Sequence, residues 1–140
     1  MPAALVPELS VRDCRVSAAF YVGLLGFETL FERPEEGFAY LRLGEADLML
    51  DQIGLGRDFP GVPSPRDRPF GRGVNLQIAV PATAPILERL AAAGVALALG
   101  PEERWYRRGD VEIGQRQFLV ADPDGYLLRP WEPLGLRPAP

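Results

Sequence analysis

The sequence predicts an α+β fold in which one βαβββ module occurs twice within a single domain of 140 residues. The order of the elements repeats along the chain, and each predicted helix ends at a glycine, Gly26 or Gly94, that leads directly into a strand. A long irregular segment separates the two repeats. The expected boundaries are residues 1–53 for the first module, 54–73 for the connecting loop, 74–132 for the second module and 133–140 for a loose tail.

The first module begins with a strand over Leu5–Val11. Within it Pro7 marks an edge, a bulge or a hinge, because proline cannot donate to a strand ladder. Asp13 is the candidate N-cap of the following helix, since apolar residues recur at helical spacing from Val16 to Leu24. Alternating side chains predict three further strands, at residues 27–33, 38–43 and 48–52.

The second module repeats this order. A strand over Val74–Val80 precedes a helix for which Thr83 is the candidate N-cap, with Pro85 in its first turn. Further strands are expected at residues 95–99, 111–121 and 126–131, and residues 100–110 are expected to be irregular. Turn-forming residue types predict a turn at Asp122–Gly125.

The composition limits the kinds of ligand, partner and cellular setting that are expected. The net charge of -4 argues against nucleic acid as a partner and favours a neutral or cationic ligand. No apolar run approaches the ~20 residues that span a bilayer, and no secretory leader is evident, so no membrane association is expected. Cys14 is the single cysteine, which excludes an intrachain disulfide and is consistent with a reducing cytoplasm.

The chain contains no histidine and no lysine, and all 15 basic residues are arginine. Schiff-base chemistry on a lysine is therefore excluded, as are Ser-His and Cys-His dyads and metal sites that use histidine. Any catalysis would have to use carboxylates, tyrosine, Cys14, arginine or backbone groups.

Three groups of residues resemble motifs of the vicinal oxygen chelate superfamily, which includes glyoxalase I, extradiol dioxygenases and bleomycin resistance proteins. Each is weak alone, but their order and spacing together are specific. They are Pro7-Glu8-Leu9-Ser10-Val11-Arg12-Asp13, then Phe20-Tyr21 with Leu25-Gly26-Phe27, and Arg116-Gln117-Phe118 followed by Asp122-Pro123-Asp124-Gly125. The opening motif is most similar to the bleomycin resistance branch. The resemblance implies two βαβββ modules that form a concave mixed sheet.

Metal enzymes of this superfamily place one ligand on each of four strands. Here those positions fall at about Val6, at Asp51, at about Asn75 and at Arg129. Valine cannot ligate, and the guanidinium of Arg129 carries a permanent positive charge where the cation would lie. Asp51 alone does not make a divalent site, so no metal and no other cofactor is expected. Asp51 and Arg129 are expected to approach each other and to fill the vacated metal position.

Bleomycin resistance proteins are homodimers that sequester a large cationic glycopeptide without turnover. Their N-terminal strand is often exchanged between subunits about a proline hinge, here Pro7. Aromatic rings hold the flat part of the drug, and acidic groups meet its cationic tail. The resemblance therefore implies a homodimer with ligand clefts between subunits and an N-terminal strand that can be exchanged.

The candidate ligand-binding residues combine aromatic groups with residues at former metal positions. They are Phe31, Phe38, Tyr40, Asp51, Trp105, Ile113, Arg116 and Arg129. For Phe31 and Tyr40, ligand contact and sheet packing are about equally expected. Ile113 stands where the family often has a tryptophan, so one sandwiching ring is missing, and Trp105 on the preceding segment is a candidate replacement.

The leading hypothesis is a metal-free, cytoplasmic binding protein that sequesters a flat aromatic, cationic antibiotic of the bleomycin type and so confers antibiotic resistance. The first alternative is a metal-dependent enzyme of the glyoxalase or lyase kind on the same scaffold. The second is a subunit or sensor module with no small ligand.

Overall fold

The computed structural model describes residues 3–56, 59 and 66–140. The strands are β1 (Glu8–Val11), β2 (Glu28–Arg33), β3 (Phe38–Leu43), β4 (Ala46–Gln52), β5 (Asn75–Ala79), β6 (Leu99–Arg108), β7 (Val111–Ala121) and β8 (Leu127–Pro138), and the α-helices are α1 (Cys14–Phe20) and α2 (Ala84–Ala92). Among the described residues, neither helix is long and apolar enough to cross a membrane.

The order of these elements confirms the predicted repeat of a βαβββ module. Sheet 1 has the strand order β1-β4-β3-β2, and sheet 2 has the matching order β5-β8-β7-β6. In each sheet the strand before the helix runs parallel to the last strand of its module, and the other pairs are antiparallel. The two sheets are therefore the same α+β arrangement used twice.

The chain forms two compact units, and each unit is built from two separate stretches of sequence. Unit 1 holds the residues up to Gly73 together with Asp122–Tyr126, and unit 2 holds Val74–Ala121 and Leu127–Pro140. The sequence places the turn at Asp122–Gly125 in the second module, whereas the structure groups it with unit 1. The hydroxyl of Tyr21 donates a hydrogen bond of 2.7 Å to Asp122 there. Residues 57–58 and 60–65 of the predicted connecting loop lie outside the described residues.

Helix α1 begins and ends as its sequence predicts. The side chain of Asp13 accepts hydrogen bonds from the backbone N–H groups of Arg15 and Val16, at 3.0 and 3.3 Å, which satisfies two donors of the first turn. After Phe20 the helix continues as a π-helical turn and ends at Gly26, whose φ of 91° is the left-handed conformation that favours glycine.

Strand β1 pairs with β4 of its own chain. Glu8 is aligned with Met49 and Ser10 with Asp51, and the backbone N–H of Ala3 donates to the carboxylate of Asp47 at 2.9 Å. The N-terminal segment is thus held against unit 1 of the same molecule. Exchange of this strand between subunits stays a prediction.

The prediction for residues 95–110 is wrong. The sequence predicts a strand at 95–99 and an irregular segment at 100–110, but β6 runs over Leu99–Arg108. Most of its side chains are exposed, and it lies at the edge of sheet 2, so polar and charged residues occur on both of its faces. Such a strand lacks the alternation of apolar and polar residues by which strands are recognised.

The prediction of a loose tail at residues 133–140 is also wrong, because β8 continues to Pro138. Its partner β5 covers only the residues up to Trp131, so beyond that point one side of β8 has no described strand beside it. Prolines at 133 and 138 are compatible with such an edge, where a missing N–H breaks no ladder bond on the open side.

The aromatic residues of the superfamily motifs are buried. Phe20, Tyr21 and Phe27 make edge-to-face ring contacts in unit 1, with centroids 5.5 and 5.4 Å apart, and Phe118 is fully buried in unit 2. Edge-to-face contact places the positive edge of one ring on the negative face of the next. Each of these rings belongs to the core of its own unit and is not available to a ligand.

Candidate functional site

Three of the candidate aromatic residues come together on one face of sheet 1, here called the aromatic face. Phe31 is aligned with Tyr40 across β2 and β3, and their rings stack with centroids 5.0 Å apart and planes inclined by 16°. The ring of Phe38 lies 5.9 Å from that of Phe31. Phe38 and Tyr40 are buried, whereas Phe31 is 49% exposed. The outer ring of a supported aromatic stack is therefore open to a ligand.

A buried carboxylate fixes the position of Tyr40. Its hydroxyl donates to Asp47 at 2.6 Å, and the guanidinium of Arg42 donates to both oxygens of Asp47, at 2.6 and 2.8 Å. Hydrogen bonds from Arg42 and Tyr40 hold the pKa of Asp47 well below its usual range. The bond to Asp47 raises the pKa of Tyr40, so its hydroxyl stays protonated. The stack on the aromatic face is thus rigidly anchored.

A cation already lies on this face. The guanidinium of Arg33 sits 4.0 Å above the centre of the Phe38 ring and pairs with Glu36 at 2.7 Å. Planar cations bind aromatic faces in this geometry because the ring centre is electron-rich.

Asp51 is aligned with Phe38 at the end of the aromatic face. Its carboxylate packs against Gly56, where an added Cβ would collide with it. The expected approach of Asp51 to Arg129 stays a prediction, since Asp51 lies in unit 1 and Arg129 in unit 2.

A cavity of unit 1 lies beside α1. Its volume is about 610 Å³, and it lies between the start of α1 and the ends of the strands that carry Glu32, Phe38 and Gln52. Cys14 lines it, and burial, with smaller contributions from Glu32, Asp13 and Asp51, raises the pKa of this thiol to about 11. The thiol is therefore protonated and weakly nucleophilic at neutral pH.

Trp105 does not replace the ring that is missing at Ile113. In sheet 2 Trp105 is aligned with Gly114, and Tyr106 is aligned with Ile113. Successive residues of a strand point to opposite faces, so Trp105 and Ile113 are on opposite faces of sheet 2. The aromatic residue beside Ile113 is Tyr106. Tyr106 is not among the predicted ligand-binding residues, since without a predicted strand nothing in the sequence aligns it with Ile113.

Arg116 is directed to the side of sheet 2 that carries α2. Its guanidinium donates to Glu103 at 2.7 Å and to Glu132 at 3.2 Å, and Thr83 at the start of α2 donates to Glu132 at 2.9 Å. Thr83 is the N-cap residue but makes no side-chain bond to the helix, and its φ of -83° and ψ of -27° are helical and not the extended values typical of a capping residue. The four side chains line a cavity of about 300 Å³ with the first turn of α2.

The opposite side of sheet 2, here called the glutamine face, carries Gln115, Gln117 and Arg129. Gln117 is aligned with Trp131, and residues two apart on a strand share a face. Within the described part of the chain, the Oε1 atoms of both glutamines and the Nε of Arg129 are buried without a hydrogen-bond partner.

The residues at the four metal positions do not fit a metal centre. In sheet 2 these positions hold the amide of Asn75 and the guanidinium of Arg129, and in the first module they hold Val6 and Asp51. Among the residues that the structure describes, no three acidic or sulfur-containing side chains are grouped to hold an ion. A single carboxylate supplies too few of the oxygen ligands that a hard cation requires.

Comparison with known proteins gives the family. The sequence profile of the glyoxalase/bleomycin resistance protein/dioxygenase superfamily matches residues 4–129. The chain belongs to this superfamily. The βαβββ repeat and the two matching sheets are the architecture expected of the glyoxalase fold, so the predicted family and fold are both confirmed.

Solved structures extend the comparison of this glyoxalase-superfamily chain. A superfamily member from Vibrio splendidus is 38% identical over 91% of this chain and 95% of that chain, with a TM-score of 0.37. TioX from Micromonospora is 24% identical over 93% and 98%, with a TM-score of 0.67. Lactoylglutathione lyase from Agrobacterium tumefaciens is 21% identical over 94% of each chain, with a TM-score of 0.58. The last two show the fold alone. No curated protein matches the chain.

Proposed function

We propose that this protein is a metal-free binding protein that sequesters a flat aromatic, cationic antibiotic of the bleomycin type. The observation that supports this most strongly is the anchored stack of Phe31 on Tyr40, with Phe31 half exposed. An aromatic ligand can continue the stack on the outer face of Phe31 at little cost in conformational entropy, because the rings beneath are already held in place.

Two observations favour a cationic ligand: the negative net charge of the chain and the position of the Arg33 guanidinium over the Phe38 ring. The chain has a net charge of -4, and Arg33 already occupies the ring of Phe38 in the way that a cationic ligand would. A cationic ligand can bind beside the stack of Phe31 on Tyr40, or it can displace the guanidinium of Arg33 from the Phe38 ring. In the second case Arg33 can keep its ion pair with Glu36. Asp51, at the end of the same face, is a further source of negative charge.

Binding without turnover is favoured by the residues at the former metal positions. Of these, only Asp51 carries a negative charge, and Arg129 carries a positive one. The function that fits this composition is stoichiometric capture, in which the protein lowers the free concentration of the drug. We further propose a cytoplasmic homodimer, for which size-exclusion chromatography with light scattering is the direct measurement.

Isothermal titration calorimetry with bleomycin tests the proposal. We expect saturable binding, with Phe31→Ala at least tenfold weaker because the exposed half of the stack is removed. Leu30→Ala is the matched control, since Leu30 is the neighbouring exposed residue on β2 but lies at the irregular position between Thr29 and Phe31. No binding of bleomycin at high protein concentration would reject this ligand class.

The enzymatic alternative needs a different measurement. Elemental analysis of the purified protein, together with an assay of methylglyoxal–glutathione hemithioacetal isomerisation, separates the two functions. One equivalent of a divalent metal with turnover that a chelator abolishes would replace the binding proposal with a glyoxalase-type activity.

A further inference from the structure

The cavity beside α1, here called the α1 cavity, is a second candidate binding site in unit 1. Its volume of about 610 Å³ lies within the range of cavities that hold small organic ligands. The side chains that matter most for its chemistry are Cys14 and Ala18 on α1, Glu32 on β2, Ala39 on β3 and Leu55 after β4.

The α1 cavity and the aromatic face lie on opposite faces of sheet 1. Glu32 is aligned with Ala39 across β2 and β3, and the neighbouring pair is Phe31 with Tyr40. Successive residues of a strand point to opposite faces, so the side chains of Glu32 and Ala39 point away from the stacked rings. A ligand in the α1 cavity is therefore distinct from a ligand stacked on Phe31.

Hydrogen bonds hold the start of α1 in place as one wall of the α1 cavity. The backbone N–H of Cys14 donates to Oε1 of Gln52 at 2.9 Å, which ties the helix to the end of β4. The carboxylate of Asp13 accepts from the backbone N–H groups of Arg15 and Val16. Because this wall is fixed before a ligand enters, little ordering of the protein opposes binding.

The inner part of the α1 cavity is buried and its outer part is open. Cys14 and Ala39 are 7% and 2% exposed, whereas Leu55 is 53% exposed and Glu32 is exposed as well. The thiol of Cys14 is in no disulfide and has no hydrogen-bond partner among the described residues. The cavity thus combines apolar surface and an unpaired thiol inside with a carboxylate at its entrance.

Negative charge dominates in the α1 cavity. Burial, followed by the charges of Glu32, Asp13 and Asp51, raises the pKa of Cys14 to about 11, so these carboxylates act on the inner end of the cavity. Asp13 is used in capping α1, whereas Glu32 forms no ion pair with a described residue. Arg15 also lines the cavity, but it is exposed and is not among the charges that shift the thiol. The carboxylate of Glu32 is therefore available to a cation.

Cavity size, apolar walls and one available carboxylate together define a class of ligand. We infer that the α1 cavity binds an organic ammonium ion, with its nitrogen at Glu32 and an apolar or aromatic body against Ala18 and Ala39. An anion would be repelled by Glu32. A metal ion fits less well, because among the described residues no three acidic or sulfur-containing side chains are grouped to hold one. The inference does not rest on the proposed function, since neither Phe31 nor Tyr40 takes part.

NMR titration of the full chain with tryptamine, tryptophol and indole-3-acetate tests the inference. The three compounds share an indole ring and carry a cationic, a neutral and an anionic group, respectively. We expect tryptamine to bind about fivefold more tightly than tryptophol, and indole-3-acetate to bind most weakly, because a partly exposed ion pair adds a modest factor. The largest shift changes should be at Cys14, Ala18 and Ala39. No binding of tryptamine, or equal affinities for the three compounds, would overturn the inference.

Two variants of β2 that remove the same charge locate the ammonium group. Glu32→Gln should weaken tryptamine binding about threefold and leave tryptophol binding unchanged, because only tryptamine pairs with the carboxylate. Glu28→Gln is the matched control, since Glu28 is exposed and is aligned with Arg42, on the other face of the sheet. It should change neither affinity. Equal weakening by the two variants would indicate a general attraction to an acidic protein and would overturn the inference.

Phe31→Ala separates this site from the aromatic face. Loss of tryptamine binding in Phe31→Ala, with none in Glu32→Gln, would place the cation on the aromatic rings and would overturn the inference. Failure of bleomycin to bind would reject the proposed function alone, because the α1 cavity is tested by tryptamine and Glu32.

Discussion

The indole ring of Trp105 lies directly over Gly114, so closely that an added Cβ on Gly114 would approach the ring carbons to 2.7 Å. Trp105 and Gly114 are aligned across β6 and β7, and the guanidinium of Arg137 lies 4.2 Å from the centre of the ring. The indole is therefore packed between a glycine and a cation on the side of sheet 2 away from Ile113. This contact requires glycine because of the close approach and not because of a turn.

We predict that Gly114→Ala displaces the indole of Trp105 and lowers the free energy of unfolding by about 1–3 kcal/mol, through overpacking. The measurements are denaturant unfolding and tryptophan emission, the latter in a Trp131→Phe background. Gly23→Ala is the matched control, since a Cβ on Gly23 meets nothing within 4 Å, and it is expected to be neutral or slightly stabilising. Unchanged emission and stability in Gly114→Ala would contradict the packing described here.

The hydroxyl of Tyr21 is the basis of a second prediction. It donates to the buried Asp122 at 2.7 Å, and burial raises the pKa of this carboxyl despite that bond. We expect Tyr21→Phe to cost about 1–3 kcal/mol at pH 7, because a buried acceptor loses its partner. Loss of the bond raises the pKa of Asp122 further, so the cost should shrink as pH falls and the carboxyl becomes protonated.

Tyr126→Phe is the control for Tyr21→Phe. The Tyr126 hydroxyl donates to the backbone carbonyl of Ser10 at 2.9 Å, so its removal leaves no carboxylate without a donor. Its cost should vary little between pH 4 and pH 7, as the acceptor does not titrate. Parallel pH profiles for the two variants would argue against a specific role of Asp122.

Asp47, a carboxyl whose pKa is lowered where that of Asp122 is raised, is the basis of a third prediction. Hydrogen bonds from Arg42 and Tyr40 depress its pKa, so its stabilising effect is fully present above the unfolded pKa of about 3.9 and is lost as pH falls towards the folded value. We expect Asp47→Asn to lower the Tm at pH 7 by on the order of 5 °C or more. The difference from the unaltered protein should narrow in strong acid.

Asp110→Asn is the matched control for Asp47→Asn, since Asp110 is exposed in the turn between β6 and β7. It should change the Tm little at any pH, because exposed charges contribute little to stability. If Asp47→Asn behaves like Asp110→Asn at pH 7, the bonds to Arg42 and Tyr40 do not stabilise the aromatic face.

Local residue chemistry predicts most of the fold. Asp13 and Gly26 specify both ends of the first helical segment, and alternation predicts β3 at its observed bounds, Phe38–Leu43. The prediction fails at β6, which is an edge strand, and at the part of β8 beyond Trp131, which has no described strand on one side. β6 is polar on both faces, and the last part of β8 contains prolines, which sequence patterns associate with loops more than with strands.

The candidate site is predicted only where the strand register is predicted. The grouping of Phe31, Phe38 and Tyr40 follows from the alternation of β2 and β3, so the sequence finds it. Because the sequence does not predict β6, it does not show that Trp105 and Tyr106 point to opposite faces or that Tyr106 contacts Gln117. Arg116 and Gln117 are adjacent in sequence, and only their register distinguishes the residue facing α2 from the one facing away.

The single cysteine provides the last prediction. Burial, and the negative charges of Glu32, Asp13 and Asp51, raise the pKa of Cys14 from 9.0 to about 11. At pH 8 the thiolate fraction in the native protein is then about 100-fold lower than in the unfolded chain, so alkylation by iodoacetamide should be slower by at least that factor. Mass spectrometry over time measures this without ambiguity, because there is no second cysteine. Glu32→Gln removes one negative charge and should accelerate alkylation modestly, whereas Glu45→Gln, at the β3–β4 turn, should not. Native and urea-unfolded protein reacting at similar rates would show that Cys14 is neither buried nor electrostatically suppressed.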